Sequence, residues 1–379
     1  MNTVIEPNSV QPRSPGLSVD ETVFSDSFFP EADAGRSAAA TPGLIQWSWA
    51  CRRLASLPYG SLEPAASAAP VPGDVALMRV EKTVFHKFLT TAENRRMRLY
   101  PGAQFFGVFG NRYACDAFEA EVTGSDNLSL LTAAGMVGTV KSKHHSAADP
   151  TQVTLLGYVR NAEGGRLNLK AQLFRPAAAR RRPRNLIYVV GTGMNSGKTT
   201  TAARLTNGLT NVGLNVAACK LTGSVSNRDQ DELAAAASHR AIDFSDFGFP
   251  STYLCSKEEL LKLFDAMTAE VAAVDPDVVL MELADGLLQR ETAMLLSEPE
   301  VQQAARGLVL SAESALSALW GADRLRRLGY RIIAVSGKFT SSPLAMEEYR
   351  QNDSDIPVIC SADTGAELAT RVGTFMRNE

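Results

Sequence analysis

Hydrophobic positions fall into two patterns along the chain. Between residues 71 and 178 they come in short, partly alternating runs at 74–80, 96–99, 104–108 and 118–122. Gly102, Gly107, Gly110 and Gly124 lie among these runs. Alternation puts successive side chains on opposite faces of a strand, and closely spaced turns join short strands into a small barrel or sandwich. From residue 185 the pattern changes. Apolar runs at 186–190, 216–220, 278–283, 308–311, 331–336 and 357–360 are separated by stretches with helical spacing. Strands apolar on both faces belong to a mainly parallel sheet with helices on either side. The expected fold is α/β: a doubly wound parallel sheet over 185–379, preceded by a small β-rich, barrel-like domain over 71–178.

Helix signals support the second pattern. Ser256 and Glu259 have capping-box spacing, and Leu260, Phe264, Met267 and Val271 then share one helical face. Leu316, Leu319, Asp323 and Leu325 belong to another helix, which Gly329 ends. Residues 1–70 show neither period. Prolines crowd there, lysine is absent, and the sequence predicts a flexible Pro/Ala/Ser-rich tail. Within it, Leu44, Ile45, Trp47 and Trp49 form the one patch apolar enough to dock on the body, as a short helix.

Composition narrows the function. The 379 residues are enough for two domains, and 45% are hydrophobic. A net charge of -3 argues against a protein held to nucleic acid by bulk electrostatics. No apolar run approaches the roughly 18–20 residues of a membrane-spanning helix. The N-terminus lacks the basic start and apolar core of a secretory signal. Five cysteines without a CxxC pair argue against a disulfide framework or a cysteine zinc site and fit a reducing compartment. A cytoplasmic protein is expected, with no nucleic-acid or membrane partner.

Candidate chemistry gathers where the first parallel strand ends. There the sequence reads Gly191-Thr192-Gly193-Met194-Asn195-Ser196-Gly197-Lys198-Thr199-Thr200, and Leu205, Leu209 and Val212 follow at helical spacing. Strand, glycine loop, Gly-Lys-Thr and helix are the context of a phosphate-binding loop. Glycines let successive N–H groups curl toward one anion, and the helix start adds its positive end. Lys198 supplies a point charge for β- and γ-phosphates, and the Thr199 hydroxyl a ligand for Mg²⁺. The loop is one residue longer than the common pattern, counted from Gly191.

Ligands sit at the carboxyl ends of strands in such sheets. The second strand ends in Lys220-Leu221-Thr222-Gly223, and a lysine at a buried strand end needs a cavity or an anion. Asp229 and Asp231 follow; they either help hold Mg²⁺ or sit in a solvated loop that caps the next helix. The third run leads through four apolar residues to Glu282, a candidate to bind Mg²⁺ or position a water. Asp285 and Arg290 then lie where a substrate would be reached. Weaker candidates are the loop Asn111-Arg112-Tyr113, the basic cluster of Lys141, Lys143, His144 and His145, and the basic hinge at 180–184. Gly337-Lys338-Phe339-Thr340 sits where a base would be read.

Three of these elements line up with a known group. The long phosphate loop at 191–199, Lys220-Leu221-Thr222-Gly223 with an aspartate beyond it, and Glu282 together resemble dethiobiotin synthetase and its P-loop NTPase relatives. The relatives include cobyrinic acid amidotransferases, the molybdopterin-guanine-dinucleotide adaptor and proposed D-glutamate N-acetyltransferases. The resemblance covers residues 185–379. It implies that Lys198 and Thr199 bind the phosphates and Mg²⁺ of ATP (or GTP), Lys220 an anionic substrate, and Asp229 and Glu282 the metal. Leu221 replaces the usual proline of that group. It further implies a site built across a two-fold interface, and so a homodimer. The first expectation is an ATP-dependent, ligase-type enzyme that activates a small carboxylate by phosphoryl transfer, with Lys198, Lys220 and Glu282 as its catalytic residues. The alternatives are a nucleotide-switched adaptor and a P-loop scaffold catalysing another group transfer.

Overall fold

The computed structural model describes residues 45–57, 61–124, 126–236, 239–360, 370 and 372–374. The expected tail at 1–44 lies outside the described residues. From Ile45 the chain is part of the body, which corrects the tail boundary at 70. Gln46–Trp47 pairs in parallel with Gln104–Phe109, and Leu62–Pro64 pairs with Thr151–Val159. The aromatic patch docks as this strand and a short 3₁₀ helix, Trp49–Leu54, whose Ala50, Cys51 and Leu54 are buried. Trp47 stacks on Phe106 with ring centroids 4.3 Å apart. The stacking of half-buried Trp47 on Phe106, together with burial of Ala50, Cys51 and Leu54, outweighs the local proline-rich composition, which is why composition alone misplaces the boundary.

The β-rich half is a sheet whose pairings, mostly between strands far apart in sequence, close on themselves. Gln104–Phe109, Val75–Lys82, Thr151–Val159, Leu128–Leu130 and Met136–Lys143 pair in that order, and Met136–Lys143 pairs back onto Gln104–Phe109. Period-two alternation explains the two cores. Ala76, Met78, Val80, Phe105 and Phe109 pack together with Tyr158 and Leu155. Val75, Leu77, Phe106 and Val108 face the other way, onto Leu54, Leu169 and Val225. Val225 belongs to the second half, so that outer face is buried against it rather than left in water.

The second half contains a six-stranded parallel sheet. Its order is Arg240–Asp243, Val216–Lys220, Val278–Leu283, Leu186–Gly191, Gly307–Ser311 and Ile332–Ser336. Helices Lys198–Asn211, Asn227–Ala236, Lys257–Ala272 and Ala315–Arg327 connect or cover the strands. The Ser256–Glu259 capping box is present. Two strand expectations change. Arg240–Asp243 is an edge strand whose run is too short and too polar to announce itself. The run at 357–360 contributes one isolated parallel bridge, Val335 to Val358. Pro357 offers only its carbonyl there, to the Val335 N–H, and proline has no N–H with which to lengthen the ladder. Among the described residues no helix is long and apolar enough to cross a membrane.

Register sets the chemistry of the sheet's carboxyl end. Lys220 lies opposite Glu282 across the two central strands. Val278 and Leu280 pack with Leu205 and Leu209 of the helix Lys198–Asn211. Glu282, two residues beyond Leu280, therefore leans to the start of that same helix.

Candidate phosphate-loop site

The loop between Gly191 and Lys198 is held by its neighbours rather than by itself. The Thr192 N–H donates to the Ser311 carbonyl at 2.9 Å, the Leu287 N–H to the Gly191 carbonyl at 3.0 Å, and the Lys338 N–H to the Ser196 carbonyl at 3.0 Å. Two glycines are required by close approach. A Cβ on Gly191 would meet the Lys198 side chain at 2.7 Å, and one on Gly286 would meet the Gly193 backbone at 2.7 Å. Gly197, with φ 95°, caps the helix Lys198–Asn211, and Asn195 also adopts a positive φ of 64°. A run of residues near the left-handed region turns successive N–H groups inward, the geometry of an anion nest at a helix start. Thr200 follows in the helix's first turn.

Lys198 is buried, and its ammonium donates to the Gly193 carbonyl at 2.9 Å and to the Asp285 carbonyl. Burial lowers its pKa, while the Glu282 and Asp285 carboxylates act against that shift. A buried ammonium held by neutral carbonyls is a cation poised to take an anionic partner. The Thr199 hydroxyl lies 3.2 Å from Glu282 Oε1. The other Glu282 oxygen, Oε2, is buried with no hydrogen-bond partner among the described residues.

Lys220 is the second buried cation. Its ammonium sits 2.5 Å from Asp229 Oδ2 and 3.4 Å from Glu282 Oε1. Burial alone would lower its pKa, but Glu282 and Asp229 overcome burial and hold it above the usual lysine range. Asp285 sits behind both lysines. Burial raises its carboxyl pKa, against the pull of Lys198 and Lys220. Thr222 is buried and donates to the Ala284 carbonyl at 2.5 Å, and Gly223, at φ 137°, leaves room for the Lys220 stem.

The geometry thus brings Lys198, Thr199, Lys220, Asp229, Glu282 and Asp285 together. It sets two other candidates elsewhere. Asp231 accepts from the Asn94 amide at 2.9 Å and from Asn227 at 3.3 Å, on the seam with the β-rich half. Arg290 donates to the Cys255 carbonyl at 3.1 Å and pairs with its neighbour Glu291. In each case the nearer partner won: the amide side chain of Asn94 for Asp231, and a fully buried carboxylate for Arg290.

The β-rich half also reaches the phosphate loop. Asn195 of the phosphate loop donates to Asp116 Oδ2 at 2.8 Å. Met194 packs with Phe85 and Phe118, and Cys115 lies 4.0 Å from its sulfur. Arg112, in the same loop, is mostly buried over the Phe118 ring; burial pulls its pKa down to about 10, against Asp116 and Asp285. Asn111-Arg112-Tyr113 drew notice in the sequence, but Asp116 carried no motif of its own.

The residues fit a magnesium ion in one respect and resist it in another. Glu282 offers an unpaired buried oxygen beside the Thr199 hydroxyl, a hard-oxygen pair of the kind Mg²⁺ uses. Asp229, by contrast, is already neutralised by Lys220. Among the described residues no cluster of three or more acidic, histidine or cysteine side chains is arranged to hold a metal. Mg²⁺ in nucleotide sites commonly takes one or two protein oxygens and completes its shell with waters and phosphates, so Thr199 and Glu282 suffice.

Fold and site together define a parallel α/β protein with a phosphate-loop-type strand-to-helix turn at the carboxyl end of its sheet. No family model matches the chain, and no curated protein matches it. Among solved structures, the chain is similar to the signal recognition particle receptor FtsY from Elizabethkingia anophelis in complex with GDP, at 14% identity and TM-score 0.35, over 56% of this chain and 70% of that one. The septum site-determining protein MinD from Pyrococcus horikoshii, complexed with Mg-ADP, is similar at 15% identity and TM-score 0.35, over 51% of this chain and 96% of that one. The kinase domain of the Escherichia coli tyrosine kinase ETK is similar at 16% identity and TM-score 0.30, over 40% and 66% of the two chains.

Proposed function

We propose that this protein binds a magnesium–nucleoside triphosphate at the 191–199 loop and uses it to activate a small carboxylate or similar oxyanion, as a dethiobiotin synthetase-like ligase. The observation that carries the reading is the buried Lys198 ammonium at a helix start, held among the described residues by the Gly193 and Asp285 carbonyls. The loop N–H groups and Lys198 would hold the β- and γ-phosphates. Thr199 and Glu282 would hold Mg²⁺, which supplies charge neutralisation on the phosphate oxygens. Lys220 is positioned to hold the anionic acceptor, with Asp229 orienting its ammonium and keeping it protonated. A carboxylate oxygen of the acceptor would attack the γ-phosphorus as the bond from that phosphorus to the β,γ-bridging oxygen breaks, and the nucleoside diphosphate would leave. Such transfer is catalysed mostly by positioning and charge, which is what these residues offer.

One observation favours a second reading, a nucleotide-switched adaptor. The phosphate loop touches the β-rich half directly, through Asn195 to Asp116. The test for both is titration of the full chain with Mg-ATP and Mg-GTP, followed by phosphate release across a panel of small carboxylic acids. Binding with acid-stimulated release supports the enzyme, and binding without release supports the switch. No binding of either nucleotide removes both.

A further inference from the structure

Between the β-rich half and the helix Asn227–Ala236 lies an open pocket of about 590 Å³ that the phosphate-loop chemistry does not use. Lys87, Arg96 and Arg228 line it. No carboxylate is among its lining residues. Among the described residues these three cations form no ion pair. The Arg96 guanidinium carbon lies over Phe88, 3.7 Å from the ring centroid, a contact that restrains the fork. Three like charges around one concavity repel each other and raise its potential, a cost that an anionic guest reverses.

The walls are pinned. Thr90 donates to Asn227 at 3.3 Å, and Asn227 to Asn94 at 3.0 Å. The nearby acid, Asp231, accepts from the Asn94 and Asn227 amides and makes no ion pair with Arg228 among the described residues. His86 contributes shape rather than charge, since burial beside Arg112 pulls its pKa down to about 4. The volume lies within the range of small-molecule sites and far exceeds the needs of a single phosphate or carboxylate group.

We infer that this cavity binds an organic dianion of metabolite size, a molecule with an apolar body and phosphate or paired carboxylate groups. Arg228 directly precedes Asp229, the partner of Lys220, on the helix Asn227–Ala236, which joins the pocket to the candidate phosphate-transfer site through one element. Calling that guest the acceptor of the proposed reaction rests on the nucleotide reading; the anion affinity itself does not.

Calorimetric titration of the full chain with 4-nitrophenyl phosphate, 4-nitrophthalate, inorganic phosphate and 4-nitrobenzyl alcohol is the test. The two aromatic dianions distinguish phosphate from paired carboxylates. At least one is expected to bind saturably, well ahead of inorganic phosphate and of the alcohol. Arg96→Glu and Arg228→Glu should each weaken it about tenfold or more, roughly the loss of one charge-assisted contact. Arg228→Gln should weaken it less, and a far-UV spectrum confirms that each variant folds. Lys198→Ala should leave dianion binding unchanged while it removes Mg-ATP binding, so failure of either reading is seen separately. The inference is overturned if neither dianion saturates, if the alcohol or inorganic phosphate binds as well as the dianions, or if binding survives Arg96→Glu and Arg228→Glu but vanishes in Lys198→Ala.

Discussion

The two halves of the chain approach the phosphate loop differently. The parallel-sheet half builds the loop from close neighbours: Gly191, Gly197 and Lys198 lie within one turn, and Glu282 and Lys220 arrive by strand register. The β-rich half reaches it from about eighty residues away through the loop that carries Arg112 and Asp116 (Asn195 to Asp116 spans a separation of 79). Local geometry makes the cradle, while tertiary folding decides what stands over it. Chemistry set by sequence neighbours is recognisable as a motif; chemistry set by docking is not.

The largest effect should come from the parallel-sheet half. Lys198→Ala is expected to weaken Mg-nucleotide binding about a hundredfold or more, as loss of a buried charge-assisted donor should. Equilibrium titration checks it, and unchanged affinity would refute the cradle. Glu282→Gln should reduce apparent Mg²⁺ affinity in the nucleotide complex about 10–100-fold. The readout is a Mg²⁺ titration at fixed nucleotide, and a variant equal to the native protein would remove Glu282 from the metal.

Asp116→Ala tests the other half. It should change nucleotide affinity by less than about tenfold, since it removes one contact worth about 1 kcal/mol. A loss as large as that of Lys198→Ala would erase the contrast drawn above. Asp285 gives a pH signature. Its carboxyl pKa is raised on folding, so the folded state holds the proton more tightly than the unfolded one. The native protein then loses stability from this group as pH rises from the unfolded pKa through the raised folded value. Asp285→Asn should remove that loss, so the variant gains on the native protein in thermal unfolding as pH rises above the ordinary carboxylate range. A pH-independent difference would count against it. The smallest effects belong to Asp231→Asn and Arg290→Ala, whose side chains are spent on Asn94 and on Glu291 with the Cys255 carbonyl. Nucleotide affinity should stay within about twofold in both; a larger drop would return them to the site.

Much of the parallel-sheet half was legible because burial on both faces leaves uninterrupted apolar runs, as at Leu186–Gly191 and Val278–Leu283. Arg240–Asp243 was not, since an edge strand starting on an exposed arginine shows no such run. Lys198, Thr199 and Glu282 stood out by spacing. Asp231 and Arg290 could not be separated from them, because two residues of displacement on a helix or one buried carboxylate nearby redirects a side chain without changing the motif. The same blindness hid Asp116 and the cationic cavity, both made by residues far apart in the chain.

The resting bonds of Lys198 carry a consequence of their own. Any guest that draws this ammonium forward leaves two carbonyls without their donor, one in the loop itself and one at Asp285, next to the Gly286 that packs closely against Gly193. Filling the cradle would therefore be felt at the strand end that carries Glu282.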